Sequence, residues 1–142
     1  MSIEGKNKAV IVKLLEQTDR GNLNVIDEFY SPHYKEHNPK SAKRMAEGIE
    51  GVRKAFQVFS SAFPDASHKI EDIIAEGDKV AARITFTGTF KNALLGYPPT
   101  GNQIKAMGTA FYRIEDGKIV EKWEEFSALD LLGIAPIAQK DA

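Results

Sequence analysis

The segment Phe111-Tyr-Arg-Ile-Glu-Asp-Gly-Lys-Ile-Val-Glu-Lys-Trp123 decides how this sequence folds. Aromatic and β-branched residues alternate with charged residues on both sides of Asp116-Gly117, and an Asp-Gly pair is a preferred centre of a two-residue hairpin turn. We therefore predict an antiparallel hairpin here. Because successive side chains of a strand point to opposite faces, we expect alternate residues of this hairpin to face an enclosed space that carries the function.

The same period of two extends through most of the second half of the chain. It predicts strands at 69–75, 80–90, 103–114 and 118–126, with a second tight turn at Gly77-Asp78. Tight turns join antiparallel neighbours, so the strands are expected to form a mostly antiparallel meander.

The first half repeats its apolar residues at helical spacing. We predict helices at 5–20, 22–30 and 51–62, and a loop from Ser31 through Pro39. Three helices followed by a meander indicate a single α+β domain over residues 1–142, with the helices on one face of a strongly curved, mixed sheet. The apolar segment 129–136 is expected to fold back over an open end.

Composition excludes several classes of function. Lys plus Arg number 19 and Asp plus Glu number 20, and both signs are spread along the chain, so no basic surface for nucleic acid is expected. The absence of cysteine removes disulfides, thiolate metal sites and a cysteine nucleophile. No leader-like start and no long apolar stretch occur, which predicts a soluble, cytoplasmic protein without membrane contact.

Both faces of the predicted hairpin mix polar and apolar residues. Met107, Phe111 and Arg113 share a face of one strand, while Trp123 and Glu125 share a face of the next. Polar groups among large apolar side chains are typical of a pocket lining. A solvated, threonine-rich surface or a contact with a second subunit explains the same pattern equally well.

An ordered set of short motifs gives the chain a specific resemblance, which spans roughly residues 8–135. The motifs are Phe29-Tyr30, Tyr34-x-x-His37-x-Pro39, Phe63-Pro-Asp65, Glu76-Gly-Asp-Lys-Val-Ala81, Gly88-Thr89, Gly96-Tyr-Pro-Pro-Thr-Gly101 and the hairpin that ends at Trp123. In this order they resemble the SnoaL-like polyketide cyclase family.

The resemblance implies a fold and an activity. The implied fold is the cone-shaped α+β fold of nuclear transport factor and ketosteroid isomerase, in which helices and a curved sheet enclose a deep cavity. Family members close a polyketide ring by intramolecular aldol condensation with a carboxylate as acid and base, and they need no metal or cofactor. They commonly form homodimers or higher homo-oligomers through the sheet.

Two family positions carry other residues in this chain. Phe90 stands where the family usually has histidine, and Ser127 stands where it has the catalytic aspartate. An unassisted serine hydroxyl is too weak a base, although Ser127 could hydrogen-bond a substrate oxygen. Glu125 and Asp130 are the local carboxylates that could replace the aspartate. Alternatively, Glu125 is an exposed residue at a strand end, and Asp130 caps a helix or contacts solvent.

Further candidates lie in the loop and in the hairpin. The family match places His37 at the pocket, and imidazole titrates near neutrality. Trp123 could stack on a planar ligand or belong to the core, and Arg113 could bind a carboxylate or enolate or form a salt bridge with Glu121 or Glu125. Tyr34 could donate a hydrogen bond, and Phe90, Met107 and Phe111 complete the predicted substrate-binding set. His33 and His37 are not helical neighbours, so no metal site is predicted.

Three functions remain open from the sequence. The first is a cofactor-independent cyclase or isomerase acting on an apolar, carbonyl-bearing compound, with Glu125, Asp130 and His37 as catalytic candidates. The second is a non-catalytic protein of the same fold that binds such a compound, which the substitutions at Phe90 and Ser127 favour. The third is a dimerising structural subunit.

Overall fold

The computed structural model describes residues 1–37 and 48–134. The elements in chain order are α1 (Ile3–Asp19), α2 (Val25–Phe29), β1 (Tyr30–Glu36), α3 (Gly48–Ala62), β2 (Ser67–Glu76), β3 (Lys79–Thr89), β4 (Gln103–Glu115), β5 (Lys118–Phe126) and α4 (Ala128–Leu132). Among these residues, no helix combines the length and apolar character needed to cross a membrane.

The strands form one curved sheet in the order β1-β5-β4-β3-β2. Strand β1 runs parallel to β5, and the other neighbouring pairs are antiparallel. The predicted α+β fold with a mixed, mostly antiparallel sheet is therefore confirmed. The sheet is open, with β1 and β2 at its edges, and is not closed into a barrel.

The predicted loop from Ser31 through Pro39 is wrong over its first part, because residues 31–36 belong to β1. Pro32 cannot donate a hydrogen bond to a sheet and is tolerated on an edge strand such as this one. Since charged residues and proline obscure the strand alternation, the sequence pattern did not reveal it. Residues 38 and 39 of the predicted loop lie outside the described residues.

The helices agree with their predicted positions to within a few residues. Helix α1 begins with Ser2, whose Oγ accepts the Gly5 N–H at 3.0 Å, and Gly21 follows its end with a φ of 84°. Such a positive φ favours glycine after a helix. Helix α2 begins after Asn24, and α3 begins three residues before the predicted Gly51.

A β-bulge in β5 decides which residues of that strand face the helices. Glu121 pairs with Arg113 of β4, but Ile119 pairs with Ile114, so β5 contains one residue more than β4 between these pairs. The extra residue, Val120, reverses the alternation. As a result Ile119, Lys122 and the following even-numbered residues share the inner face of the sheet.

Two clusters of buried side chains pack between this inner face and the helices. The first is centred on α1, α2 and Tyr112, and the second on Phe63, Phe86 and Phe90, while Phe126 packs against both. Gly108 of β4 lies directly below Phe126, since a Cβ at this position would come within 2.6 Å of the Phe126 Cγ. Glycine is therefore required for β4 and β5 to hold Phe126 on the inner face.

Asp65 provides a test of how the loop after α3 holds the end of β3. Its carboxylate accepts the backbone N–H and the hydroxyl of Thr89, each at 2.7 Å, and these bonds lower the pKa of Asp65. A carboxyl group with a lowered folded-state pKa stabilises the fold above its unfolded-state pKa, and this stabilisation is lost as the pH falls through the folded-state pKa. We expect Asp65→Asn to lower the Tm at neutral pH and to weaken the fall of Tm below about pH 4.

Thr89→Val is the matched variant, because it removes the hydroxyl and keeps the backbone N–H. Its Tm should lie between those of the wild type and Asp65→Asn in scanning calorimetry. An Asp65→Asn protein with the acid sensitivity of the wild type would contradict this role.

Candidate active site

The inner face of the sheet and the helices enclose a cavity of about 780 Å³. Its wall is largely apolar, and α4 contributes Ala128 and Leu131. Leu131 of the apolar segment 129–136 thus lines the cavity, while the closure of an open end by this segment stays a prediction. Residues 135 and 136 lie outside the described residues. The main apolar lining residues are Leu14, Leu15, Val52, Phe56, Phe59, Phe63, Ile84, Phe86 and Phe126.

A polar cluster interrupts this apolar wall on the side of β5. The Lys122 ammonium lies 3.2 Å from Oε2 of Glu124 and 5.7 Å from the ring centroid of Tyr112. Tyr30 and Tyr112 are each only 1% exposed and both line the cavity. Among the described residues neither tyrosine hydroxyl has a hydrogen-bond partner, so both are placed to bind an oxygen of a molecule in the cavity.

The charge state of this cluster follows from its burial. Desolvation is the largest single effect and opposes the positive charge of Lys122, but the Glu124 carboxylate and the neighbouring tyrosines together outweigh it and hold the pKa of the lysine well above its ordinary value. Burial raises the pKa of Tyr30 to about 12 and also raises the pKa of Tyr112. At neutral pH the wall therefore presents an ammonium and two neutral O–H donors.

A further tyrosine joins this cluster to the cavity rim. The Tyr34 ring packs edge-on against Tyr30 with 4.9 Å between centroids, and its hydroxyl donates to Oε1 of Glu36 at 2.8 Å. Burial raises the pKa of Tyr34. Tyr34 therefore lies where the sequence places it, on the cavity wall.

His37 lines the cavity at its rim, as the family resemblance implies. Its ring stacks on Trp123 with 4.8 Å between centroids, and its Nε2 lies 3.3 Å from Oε1 of Glu121. Arg113 donates from Nε to the other oxygen of Glu121 at 2.6 Å, and this bond lowers the pKa of the Glu121 carboxyl. Of the alternatives for Arg113, the structure shows the salt bridge with Glu121.

A second pair of polar residues lies at another part of the cavity wall. Asp19, the last residue of α1, contacts His68 of β2, and both residues line the cavity. The His68 side chain is only 20% exposed, and His68 is not among the site residues that the sequence predicts. The sequence does not indicate that Asp19 and His68 are in contact, because the two residues are 49 positions apart and meet only when α1 packs on β2.

The sequence-based assignment of one hairpin face to the cavity requires a correction. Met107 and Phe111 lie on the outer face of the sheet, where they are 46% and 52% exposed, and Arg113, Trp123 and Glu125 point to the same side. For Trp123 and Glu125 the bulge at Val120 is the physical reason, because it reverses the alternation that starts at buried Ile119. Met107, Phe111 and Arg113 face outward because β4 alternates without interruption and its even-numbered residues are the buried ones. These five residues do not line the cavity, so their roles in catalysis and substrate binding stay predictions.

The remaining predicted residues also lie away from the cavity. Ser127 caps α4, since its Oγ accepts the backbone N–H of Asp130 at 3.2 Å, and Asp130 is exposed in the first turn of that helix. Phe90 is 1% exposed and packs with Phe63 in the core. Together with Met107 and Glu125, Ser127 borders a shallow depression on the outer face.

Sequence reasoning missed Lys122, Glu124 and Tyr30 as cavity residues. The available signal was the even-numbered face of β5, where Lys122 and Glu124 stand four and two residues before Phe126. A charged pair in line with a buried aromatic residue is unusual on a solvated face. Within residues 1–37 and 48–134, no three acidic or histidine side chains are grouped so that they could hold a metal ion.

An open, curved sheet and helices around a deep apolar cavity define the cone-shaped α+β fold of the nuclear-transport-factor type. The chain belongs to the SnoaL-like polyketide cyclase family, whose model matches residues 9–134. A comparison with curated proteins finds no significant match.

Solved structures of related proteins agree with this assignment. TsrD from Streptomyces laurentii superposes with a TM-score of 0.81 at 29% identity, covering 92% of this chain and 95% of that one. AclR from Streptomyces galilaeus, described as a candidate hydroxylase, gives 0.79 at 29% identity over 94% and 99% of the two chains. IdmH from Streptomyces antibioticus, described as a candidate polyketide cyclase, gives 0.77 at 28% identity over 89% and 96%.

Adjacent glutamates test which face of β5 belongs to the cavity. Glu124→Gln removes the carboxylate beside the nearly buried Lys122, and we expect it to lower the free energy of unfolding by about 1–3 kcal/mol and to lower the pKa of Lys122. Glu125→Gln changes an exposed residue, so its effect should stay within about 0.5 kcal/mol. Urea unfolding of the two variants measures the difference, and the reverse order would show that the faces are exchanged.

Proposed function

We propose that the protein binds an apolar, carbonyl-bearing small molecule in its cavity and catalyses cofactor-independent acid–base chemistry on it, such as aldol ring closure or isomerisation. The observation that supports this most is the position of Lys122, Tyr30 and Tyr112 in a largely apolar wall. Such a wall binds the body of an apolar molecule by desolvation, while its few polar groups fix the orientation of one oxygen.

The same groups suit the charge that develops in aldol chemistry. A base removes the proton on the carbon next to a carbonyl, and the electron pair of the broken C–H bond forms an enolate. The enolate carbon attacks a second carbonyl, whose oxygen becomes an alkoxide and takes up a proton, so the ring closes without net gain or loss of protons. The Lys122 ammonium and the two tyrosine hydroxyls would stabilise the negative oxygen in a site of low dielectric constant.

The related structures support chemistry in such a cavity without fixing the reaction. The description of IdmH as a candidate polyketide cyclase is in line with ring closure, whereas that of AclR as a candidate hydroxylase shows that proteins of this shape are assigned different reactions. The family resemblance therefore supports the cavity as the site, and the residues of this chain determine the proposal for its chemistry.

A non-catalytic binding protein is the second candidate. The observation in its favour is that Ser127 occupies the position of the family aspartate and caps α4, while Glu125 points away from the cavity. Under this alternative the polar cluster would orient a ligand that is not converted. The two candidates share a cavity ligand and differ in turnover.

A substitution that fills the cavity tests whether the cavity holds a ligand, as both candidate functions require and a purely structural protein would not. Ala55 of α3 lines the cavity, and we expect Ala55→Trp to occupy its space. The wild-type protein, incubated with extract of its cells and repurified, should retain an apolar carbonyl compound detectable by native mass spectrometry, and Ala55→Trp should not. Lys54→Trp adds the same ring at an exposed position of the same helix and should retain the compound. Retention by Ala55→Trp, or no bound compound on the wild type, would contradict the proposal.

We also propose that the outer face of the sheet packs against a second copy of the chain. Met107, Phe111 and Ile74 are exposed apolar residues of this face, Ile74 being in register with Phe111 through Ala81, and charges of both signs, including Arg83, Lys105 and Glu125, surround them. An apolar centre with a mixed-charge rim is self-complementary about a two-fold axis.

Charge substitution at the centre of this face tests the second-copy proposal. We expect Phe111→Glu to shift the protein from dimer to monomer in sedimentation equilibrium, because the packing would bury the new charge. Tyr97→Glu serves as the control, since Tyr97 is also 52% exposed but lies in the connection between β3 and β4. A wild-type monomer, or an unchanged dimer of Phe111→Glu, would rule out this interface.

A further inference from the structure

The contact between Asp19 and His68 uses both oxygens of one carboxylate. Oδ1 lies 2.7 Å from the ring Nδ1 of His68, and Oδ2 accepts the backbone N–H of the same residue, also at 2.7 Å. Asp19 therefore fixes the position of the histidine backbone and the orientation of its ring at the same time. Phe86 restricts the ring further by an edge-on contact with 5.2 Å between centroids.

This geometry determines the tautomer of a neutral His68. An ionised carboxylate only accepts hydrogen bonds, so the proton of the ring must lie on Nδ1 and the lone pair on Nε2. Within residues 1–37 and 48–134, Nε2 of His68 has no hydrogen-bond partner. A ring held by a carboxylate, with a free basic nitrogen, is the arrangement that a general base requires.

We propose that Asp19 and His68 are the acid–base pair of the cavity. His68 takes through Nε2 the proton from the carbon next to the substrate carbonyl, and the electron pair of that C–H bond passes into the enolate. Asp19 holds the ring and stabilises the imidazolium, which returns the proton to the alkoxide after ring closure. This inference rests on the proposed function, and it assigns the base to the wall formed by α1 and β2 instead of the end of β5.

A purely structural role would use the same contacts to join α1 to β2. Such a role would fix the same tautomer, but it requires neither access to Nε2 from the cavity nor proton transfer through Nε2. Yet Asp19 and His68 keep 21% and 20% of their side chains exposed and both border the cavity. A structural pair and a catalytic pair therefore differ in whether Nε2 takes up a proton from a molecule in the cavity, and this difference can be measured.

The first experiment measures the tautomer in the unsubstituted protein. Long-range proton–nitrogen NMR spectra of the nitrogen-15-labelled chain resolve its three histidines. We expect His68 above its titration range to show an unprotonated Nε2 and a protonated Nδ1, while exposed His33 shows the mixture of tautomers typical of a free imidazole. A protonated Nε2 on His68, or a mixture like that of His33, would overturn the proposal.

The second experiment measures proton abstraction with a probe that is independent of the natural substrate. A nitrobenzisoxazole is a planar, apolar compound in which loss of the ring C–H proton breaks the N–O bond and releases a coloured cyanophenolate. We expect the wild type to accelerate this reaction over buffer and His68→Gln to lose about a hundredfold of that rate, the typical contribution of a general base. Asp19→Asn should lose most of the same acceleration, because an amide no longer holds the required tautomer.

The control is His33→Gln, which removes an exposed imidazole of β1 outside the cavity wall and should leave the rate unchanged. No acceleration by the wild type, or acceleration retained by His68→Gln, overturns the assignment of the base. If wild type retains a cavity compound but His68→Gln keeps its rate, the pair fails and the proposed function stands. If no compound is retained but the probe rate depends on His68, the pair stands and the proposed substrate class fails.

Discussion

The ion pair of Lys122 and Glu124, held on the inner face of β5, is the constraint on which the cavity depends. A nearly buried ammonium is costly unless a charge of opposite sign and hydrogen-bond acceptors compensate for its lost hydration. The bulge at Val120 puts both members of the pair on the same face as the buried Ile119. Without the extra residue the sheet would turn Lys122 and Glu124 to solvent, and the cavity wall would carry Trp123 and Glu125 instead.

The rest of the structure is arranged around this face. Gly108 provides the space for Phe126, which packs against both buried clusters and lines the cavity. Tyr30 comes from β1, the edge strand that runs parallel to β5, so the parallel pairing adds a hydroxyl beside the ion pair. The groups proposed to bind an oxygen, Tyr30, Lys122 and Tyr112, thus come from three strands that neighbour one another in the sheet, whereas the helices supply mainly apolar area.

The sequence predicted most of the fold and little of the site. Strand alternation and the Asp116-Gly117 turn predicted the meander. Helical periodicity predicted α1, α2 and α3 to within a few residues. Strand β1 was missed because Pro32 and its charged neighbours interrupt any pattern. In β5 the predicted residues lie on the wrong face because a single extra residue reverses alternation, and nothing in the local sequence marks Val120 as that residue. In β4 both faces carry apolar residues, so alternation alone did not identify the inner face. His68 and Asp19 meet through tertiary packing, which residue spacing does not show.

In the proposed mechanism two parts of one cavity wall have separate tasks. The Lys122 ammonium and the tyrosine hydroxyls on β1 and β4 bind an oxygen, and the carboxylate-held imidazole of His68 moves a proton. The most direct test is an NMR titration with a naphthol, a planar apolar compound that carries a single oxygen. If the inner face binds the ligand, amide shifts should concentrate at Tyr30, Tyr112 and Lys122 and leave Met107 and Phe111 unchanged. Shifts confined to the outer face, or no binding, would contradict the assignment of the cavity as the site.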